Sequence, residues 1–224
     1  GGGGTTYQFP GLIDEVRIYN RALSEAEIRY HYNHGGPVAY WKFDEGEGTT
    51  AYDSTDNDND GTIYGATWTT GKFGTALSFD GSDDYVEVPD DDSLDITDAI
   101  TIEAWVKPND VSGARQIVSK HLQGYDFLIL NGELKIELYD GVSYYGRIST
   151  NANLNPGNWY HVTVVYDGNG NATFYKNGIV LSDDGGTLPS VINSNTNPVM
   201  IGVKAYNNLI DWFSGIIDEV RIYN

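Results

Sequence analysis

Between residues 38 and 224 the chain is dominated by short runs in which apolar and polar residues alternate. Because successive side chains of a strand point to opposite faces of a sheet, this period of two predicts half-buried β-strands. A dozen or so short strands separated by polar turns predict an all-β fold, an antiparallel two-sheet sandwich. The clearest runs outside hairpins are Val38–Phe43, Ala76–Phe79, Tyr85–Val88, Thr101–Val106 and Trp159–Tyr166.

Three dipeptides between apolar runs predict β-hairpins: Asn131-Gly132, Asp140-Gly141 and Asn177-Gly178. These pairs readily adopt the positive φ angles that tight two-residue hairpin turns require. The first two join three consecutive strands and the third joins two more. The predicted hairpin strands are Tyr125–Leu130, Glu133–Tyr139, Val142–Ile148, Ala172–Lys176 and Ile179–Ser182.

A twelve-residue segment occurs twice, as Phe9–Asn20 and as Phe213–Asn224, and ten of the twelve positions are identical. The copies lie about 200 residues apart, a spacing that indicates whole domains in tandem because solenoid repeats are far shorter. We therefore expect residues 1–36 to be the last strand and a short helix of a preceding repeat, and residues 37–224 to be one sandwich domain. Such a chain is expected to be part of a longer protein.

One short helix is predicted near the N-terminus, over Arg21–Tyr32. Ser24 and Glu27 have the spacing of a capping box, and Leu23 and Ile28 can pack together across the first turn.

Composition narrows the range of partners. The chain has 224 residues, no cysteine, 32 acidic and 13 basic side chains, and a formal net charge of −19. This charge excludes nucleic acid and anionic membrane surfaces, which would be repelled, and it is compatible with cations. No apolar run is long enough to span a membrane, so no membrane insertion is expected.

A series of motifs in fixed order resembles the LamG-like (laminin G-like) members of the concanavalin A-like lectin/glucanase superfamily. The resemblance implies a jelly-roll sandwich with a curved face, common in secreted and cell-surface proteins, but it does not imply a particular ligand. The motifs are Tyr40–Gly46, Ala76–Gly81, Tyr85–Pro89, Thr101–Val106, Trp159–Val162, Tyr175–Gly178 and Gly215–Tyr223.

The resemblance also implies a structural Ca²⁺ site at Asp218 on the last strand. Calcium prefers six to eight oxygen ligands, which loops can supply. The expected companions are Asp44 and the pair Asp80-Gly81, which follow early strands. In the alternative interpretation Asp218 accepts hydrogen bonds from a turn and Asp80 only turns the chain.

The acidic loop from Asp53 to Gly61 has the alternating acids of an EF-hand but not its closing Glu, because Thr67 is at that position. We interpret it as a solvated turn, and a second, weak cation site is the alternative.

A carbohydrate site needs aromatic rings for stacking and planar polar groups for hydroxyls. Trp41, Trp105 and Trp159 lie in alternating strands and are predicted to be core residues. The candidates on loops and polar strands are Tyr125, Tyr144, Tyr145, Arg147, Tyr206, Asn207, Asn208 and Trp212.

Catalysis is not expected. Superfamily glucanases carry closely spaced acids of the Glu-x-Asp-x-x-Glu type on one strand, and the chain has no such string. Glu133, Lys135 and Glu137 share a strand face, which predicts a solvated, ion-paired surface. The histidines, including His161, are scattered along the sequence.

The repeated strand allows three arrangements, because one sandwich has one place for a closing strand beside the first strand. The first copy can fill that place, be donated to another molecule, or lie at the edge of its own domain. Two functions follow. The chain is a calcium-stabilised carbohydrate-binding or adhesion module of a larger secreted or cell-surface protein, whose partner is a glycan or an extracellular protein. Alternatively, it is a unit of an extracellular fibre or surface layer that assembles head-to-tail through the exchanged strand.

Overall fold

The structure is a computed structural model that describes Gly11 and residues 18–22, 36–120, 123–206 and 208–224. Its contacts divide the chain into two units, residues 1–35 and residues 36–224. From residue 23 onward the predicted N-terminal helix lies outside the described residues, so that prediction stays untested, as does the assignment of residues 1–36 to a preceding repeat. The fold below is that of the second unit.

Eighteen β-strands and one 3₁₀ turn at Asp92–Leu94 make up the described part of this unit. In chain order the strands are β1 Ala39–Trp41, β2 Thr50–Ala51, β3 Gly61–Tyr64, β4 Thr67–Thr70, β5 Thr75–Asp80, β6 Tyr85–Val88, β7 Ile100–Pro108, β8 Ala114–Ser119, β9 Tyr125–Leu130, β10 Glu133–Tyr139, β11 Tyr144–Ile148, β12 Tyr160–Tyr166, β13 Ala172–Lys176, β14 Ile179–Val180, β15 Val199–Ile201, β16 Lys204–Tyr206, β17 Asn208–Ile210 and β18 Ser214–Tyr223.

The strands form two eight-stranded antiparallel sheets and a separate hairpin. Sheet A has the order β14-β13-β12-β7-β18-β5-β4, with β1 also paired to β18. Sheet B has the order β11-β10-β9-β8-β15-β6-β3-β2, and β16 pairs only with β17. The predicted all-β jelly-roll sandwich is therefore confirmed. No helix in the described ranges is long and apolar enough to cross a membrane.

The core lies between the two sheets because each strand buries alternate residues. Along β7, Ile102, Ala104 and Val106 are buried while Glu103 and Trp105 are only partly covered. Trp41 is fully buried, as predicted. Trp105 and Trp159 are half-buried, so their assignment to the core is wrong. Trp105 alternates with core residues but lies on the outer face of sheet A.

All three predicted hairpins form, but only two have the predicted two-residue turn. At Asp140-Gly141 the turn spans residues 140–143, because β11 begins at Tyr144 rather than at Val142 and only Gly141 of the pair has a positive φ. Asn131 and Gly132 have φ angles of 51° and 83° between β9 and β10, and Asn177 and Gly178 have 53° and 76° between β13 and β14. Two consecutive positive φ angles define the type I′ turn, whose twist matches the twist of the flanking strands.

Strand β18 occupies the closing position beside the first strand, as expected from the fold. It pairs with β7 on one side, and with β5 and then β1 on the other. A β-bulge between Asp218 and Arg221 marks the change of neighbour, and Glu219 there has a φ of 54°. The second copy of the repeated segment therefore fills the closing place, and the arrangement in which the first copy fills it is not the one found.

Candidate functional site

Three of the predicted sugar-binding residues, Tyr144, Asn208 and Trp212, lie around the outer face of sheet B, the face turned away from the core. Outward-facing residues of neighbouring strands form one row across this face, because Glu137 is paired with Asp126, Asp126 with Ser119, and Met200 with both Ser119 and Glu87. The row crosses five strands of a single sheet. It gives the face a polar centre.

The hairpin β16–β17 lies against this row through one lysine. The Lys204 Nζ is 2.8 Å from the Asp126 Oδ2 and 2.6 Å from the Glu137 Oε2. The Lys135 Nζ is 2.6 Å from the other oxygen of Glu137. These four side chains, which we call the ion-pair quartet, fix the hairpin to the sheet. Lys135 and Glu137 are ion-paired, as predicted, whereas Glu133 accepts hydrogen bonds from the Ser149 hydroxyl and the Ala152 N–H, and the hairpin covers part of the face.

Electrostatics favour the charged forms of Lys204 and Glu137, whereas burial raises the pKa of Asp126 despite the nearby Lys204 ammonium. Burial alone would lower the pKa of Lys204, but the charges of Asp126 and Glu137 outweigh burial and raise it. Burial would raise the pKa of Glu137, and the ammonium groups of Lys204 and Lys135 lower it overall. Both lysines are thus neutralised by carboxylates of the same cluster.

Three aromatic rings form what we call the aromatic platform on one side of the quartet. Tyr64 and Tyr85 project outward from β3 and β6, and their rings stack with centroids 4.6 Å apart and planes 15° apart. The Trp212 ring follows at 6.2 Å from Tyr85, tilted by 56°. Tyr64 and Tyr85 face outward because they alternate with the buried Ile63 and Val86.

A second aromatic pair lies on the other side of the quartet. Tyr139 on β10 and Tyr144 on the edge strand β11 have ring centroids 4.7 Å apart, and Tyr144 is 48% exposed. Five strand spacings of about 4.8 Å separate β11 from β6, so the two aromatic groups are on the order of 24 Å apart. Together with the quartet they make an elongated surface with rings at both ends.

Two predicted sugar contacts are wrong. Tyr125 is 1% exposed, faces the core, and its hydroxyl donates to the Leu94 carbonyl oxygen, so no ligand can stack on it. Arg147 lies across from the buried Ile136, and its Nε donates to the Gly186 carbonyl oxygen at 2.7 Å. Its guanidinium holds a neighbouring loop instead of facing a ligand.

The remaining candidates lie at or near the hairpin and the β11 edge. Asn208 begins β17 and is exposed, whereas Asn207 and the Tyr206 side chain lie outside the described residues. Tyr145 is half-buried and packs against the core. Of the predicted set, the structure therefore brings Tyr144, Trp212 and Asn208 to this surface.

The predicted calcium ligands do not form one site. Asp218 is fully buried, and its Oδ2 accepts the backbone N–H groups of Lys72 and Phe73 at 2.7 and 3.1 Å. The Asp44 Oδ1 accepts the backbone N–H of Thr75, in the same turn. Asp80 is opposite Ser214, four residues from Asp218 along β18, hence about 13 Å away. The turn-acceptor interpretation of Asp218 matches this geometry.

Asp80 instead belongs to a group of three carboxylates. One oxygen atom each of Asp80, Asp83 and Asp84 lies within 4.8 Å of the others. The Asp84 Oδ2 accepts the Asp80 backbone N–H at 2.7 Å, and burial raises the pKa of Asp84, with the charges of Asp80 and Asp83 adding to that rise. Hard oxygen donors at this separation are the ligand type that Ca²⁺ prefers.

The acidic loop after β2 is a turn held by its own carboxylates. The Asp53 Oδ1 accepts the backbone N–H groups of Tyr40 and Thr55, and its Oδ2 accepts that of Asn59. The Asp60 Oδ1 in turn accepts the Asp53 N–H. These bonds agree with the interpretation of the loop as a structural turn.

A polar network covers the outer face of sheet A. The Arg221 guanidinium contacts the Glu103 Oε1 at 3.2 Å and the Glu219 Oε2 at 2.5 Å, and the Tyr40 hydroxyl also donates to Glu219. The His161 Nε2 is 3.5 Å from the Glu103 Oε2, and burial lowers the pKa of His161. Glu219 and Arg221 occur in both copies of the repeated segment, which indicates a role in the shared fold rather than in a particular ligand.

Sequence comparison decides the family. Residues 80–224 match the family described as the Concanavalin A-like lectin/glucanases superfamily. The chain belongs to this superfamily. The match covers β6 to β18 and therefore the whole of the quartet, Tyr85 and Trp212. No curated protein sequence matches the chain significantly.

Solved structures of other proteins share the superfamily fold. Domain 4 of AbnA, a GH43 extracellular arabinanase from Geobacillus stearothermophilus solved with arabinotriose, is 23% identical, with a TM-score of 0.65 over 84% of this chain and 92% of that one. The binding domain of Paraclostridial Mosquitocidal Protein 1 is 16% identical, with a TM-score of 0.68 over 84% of this chain and 48% of that one. The receptor-binding domain of botulinum neurotoxin mosaic serotype C/D is 13% identical, with a TM-score of 0.62 and coverages of 85% and 48%. The chain thus spans about half of each toxin domain.

Sequence reasoning missed Tyr64, Tyr85 and Tyr139 on this face, and it also missed the largely buried ion-pair residues Asp126 and Lys204. The alternation in Tyr85–Val88 was visible and places Tyr85 on the face opposite Val86. Nothing in the sequence shows that β6 and β3 are neighbours, however, or that residues 204–212 return over the same sheet. The sequence indicates which face of its strand a single residue occupies, but it does not indicate which strands lie side by side.

Proposed function

We propose that this superfamily member is a non-catalytic glycan-binding module that binds uncharged oligosaccharides on the outer face of sheet B. The observation that carries the proposal is the aromatic platform of Tyr64, Tyr85 and Trp212 beside the ion-pair quartet. The C–H faces of sugars stack on aromatic rings. The charged groups of the quartet can bind sugar hydroxyl groups, so no other polar residues are needed beside the platform. The pair of Tyr139 and Tyr144 extends the surface for a chain of several sugars.

The preference for uncharged sugars follows from charge. Lys135 and Lys204 are both neutralised within the quartet, and the chain as a whole carries a formal net charge of −19. An acidic glycan would be repelled by the net charge and would have to compete with Asp126 and Glu137 for these lysines. Neutral glycans meet neither cost.

A non-catalytic role is supported by the state of the carboxylates. Retaining glycosidases place two carboxyl groups about 5–5.5 Å apart with both available to the substrate. Here Asp126 and Glu137 are bridged by Lys204, and Glu103 and Glu219 are bridged by Arg221. We further propose that the chain is part of a larger secreted or cell-surface protein and is located outside the cell. The extracellular arabinanase of similar fold supports this location.

A glycan array tests the main proposal. We expect binding to a group of neutral oligosaccharides, among which arabinotriose is a sensible first probe, and no binding to sialylated, sulfated or uronate-containing glycans. An array without any bound sugar would contradict the glycan-binding proposal. Binding confined to acidic sugars would contradict only the preference for neutral ones.

We also propose a structural Ca²⁺ ion, held by Asp80, Asp83 and Asp84. This differs from the sequence-based set, because Asp80 lies about 13 Å from Asp218 along the sheet and is grouped with Asp83 and Asp84 instead. The test is a thermal melt with CaCl₂ and with EDTA. Calcium is expected to raise the melting temperature of the wild type and of Asp218→Asn, but not of Asp83→Asn. Equal responses of all three proteins would refute this site.

A second candidate function is a building block of an extracellular fibre or surface layer. The observation that favours it is that β18 already fills the closing place, although residues 9–20 carry nearly the same sequence. Ile222 is fully buried in β18, whereas its counterpart Ile18 is 95% exposed. Sedimentation of the full chain and of a chain without residues 1–20 tests assembly, and finding both monomeric at all concentrations would eliminate this candidate.

A further inference from the structure

We infer that residues 9–20 of one molecule can replace β18 in sheet A of a second molecule. This inference deepens the second candidate function, because it names the segment, the acceptor position and the side chains that must match. It concerns the acceptor position itself, so it can be tested whether or not the wild-type protein forms fibres.

The acceptor position accepts only a strand with particular residues at particular places. Strand β18 lies between β7 on one side and β5 and β1 on the other, and Ile217, Val220 and Ile222 are fully buried. A replacement must supply apolar residues at these three positions. Residues 9–20 supply Ile13, Val16 and Ile18 in the same order.

The backbone requirements are matched as well. Gly215 has a φ of 138°, and a Cβ there would lie 2.3 Å from the Lys107 carbonyl oxygen, so only glycine fits. Residue 11 is glycine. Glu219 lies at the bulge and bonds to Arg221 and Tyr40. The first copy has Glu15 in the place of Glu219 and Arg17 in the place of Arg221.

The buried carboxylate is also present in both copies. Asp218 holds the turn before β5 through the backbone N–H groups of Lys72 and Phe73, and Asp14 is its counterpart. The two differences are mild. Pro10 would stand in place of Ser214 at the first residue of the strand, where proline is tolerated, and Leu12 would replace Ile216 on the half-buried outer face.

Reach does not prevent exchange between molecules. The 17 residues from Arg21 to Pro37 separate the donor segment from the sandwich and can span at most about 55–60 Å when extended. Strand donation of this kind forms main-chain hydrogen bonds along the whole strand and fills core pockets with alternate side chains.

The test uses the full chain and two identical residues. Ile222→Asp puts a carboxylate into the core at β18, and Ile18→Asp makes the same change at the exposed Ile18 of the first copy. A buried unpaired charge is strongly destabilising, so β18 of the Ile222→Asp chain is a poor occupant of its own position. We expect this variant to keep its cooperative melt and near-UV circular dichroism, and to sediment as a dimer or larger species.

The matched controls decide the outcome. Ile18→Asp alone should melt like the wild type, and the double variant Ile18→Asp/Ile222→Asp should be unfolded. The inference is overturned if Ile222→Asp is as unfolded as the double variant, if the double variant stays folded, or if folded Ile222→Asp is monomeric. A monomeric wild type, in contrast, would remove the fibre function and leave the inference intact, because β18 fills its own place there.

Discussion

Asp218 shows how a single buried carboxylate organises a turn. It is fully buried beside the β-bulge and receives two backbone N–H groups from residues 72 and 73. Burial raises the pKa of Asp218 to about 6, and these N–H groups only partly offset that rise. The ionised form is therefore more costly in the folded chain than in the unfolded one.

The raised pKa predicts a pH dependence of stability. Between about pH 4 and 6 the folded state binds more protons at Asp218 than the unfolded state, so this residue makes the protein less stable as the pH rises. Asn at this position does not titrate. We expect the melting temperature of the wild type, relative to Asp218→Asn, to fall between pH 4 and 7, as measured by circular dichroism. A difference that is constant with pH would contradict the assignment.

At the residue scale, sequence reasoning identified chemistry better than location. Asp218 was singled out as a calcium ligand and Trp212 as a sugar contact, and the structure gives Asp218 a turn to hold instead, while Trp212 stays a candidate contact. Tyr125 and Arg147 were misassigned because an aromatic or a guanidinium can face either side of a strand. Only the register of β9 and β11 with β10 determines which side is covered.

At the scale of elements, the hairpin β16–β17 depends on contacts outside its own ladder. Each of its strands has three residues, and an isolated two-stranded hairpin is marginal in water. Lys204 connects the hairpin to Asp126 and Glu137 on sheet B. Without the Lys204 ammonium, the carboxylates of Asp126 and Glu137 would lose the cation between them, and Asp126 is almost completely buried.

Lys204→Met is therefore expected to loosen the hairpin and destabilise the protein. Breaking a buried ion pair by removing one partner typically costs about 3–5 kcal/mol. Urea unfolding should show a loss of this order, and hydrogen exchange should accelerate in residues 203–211. Lys107→Met on the outer face of sheet A is the control, since Lys107 is a partly buried lysine of β7 that lies outside the quartet. Equal stabilities of the two variants would show that the quartet does not hold the hairpin.

The elements themselves were the most predictable level. Strands β6, β9, β10 and β13 begin and end where the alternation predicts, and Asn-Gly turns fix the ends at which β9 meets β10 and β13 meets β14. Six short strands were not predicted, namely β2, β3, β4, β15, β16 and β17. Most runs of two to four residues carry too little alternation to be recognised, and the four-residue β6 is an exception. Their pairing depends on neighbours distant in sequence.

At the scale of the whole molecule, the acidic surface affects stability. With 32 acidic and 13 basic side chains, the folded chain concentrates negative charge that the unfolded chain disperses. Salt screens this repulsion, and the Debye length falls from about 30 Å at 0.01 M to about 10 Å at 0.1 M. We expect the free energy of unfolding in urea to rise between 10 and 200 mM NaCl. A decrease would mean that attractive ion pairs dominate.

The proposed binding surface exists only at this scale. Its rings and charges come from β3, β6, β9, β10, β11 and the segment 204–212, which are brought together by the strand order of sheet B. The fold class could be predicted from alternation and from the resemblance, but the strand order within each sheet could not. The binding surface could therefore not be predicted from the sequence, even though some of its residues were recognised.

Isothermal titration of the tightest-binding neutral oligosaccharide from the array tests the central claim most directly. Tyr85→Ala and Trp212→Ala remove rings of the aromatic platform, and each is expected to weaken the Kd by at least about tenfold, as the loss of a central aromatic contact does. Phe73→Ala removes a ring that is 54% exposed near sheet A and should leave the Kd unchanged. Wild-type affinity in Trp212→Ala, or a loss of affinity in Phe73→Ala, would contradict the placement of the site on sheet B.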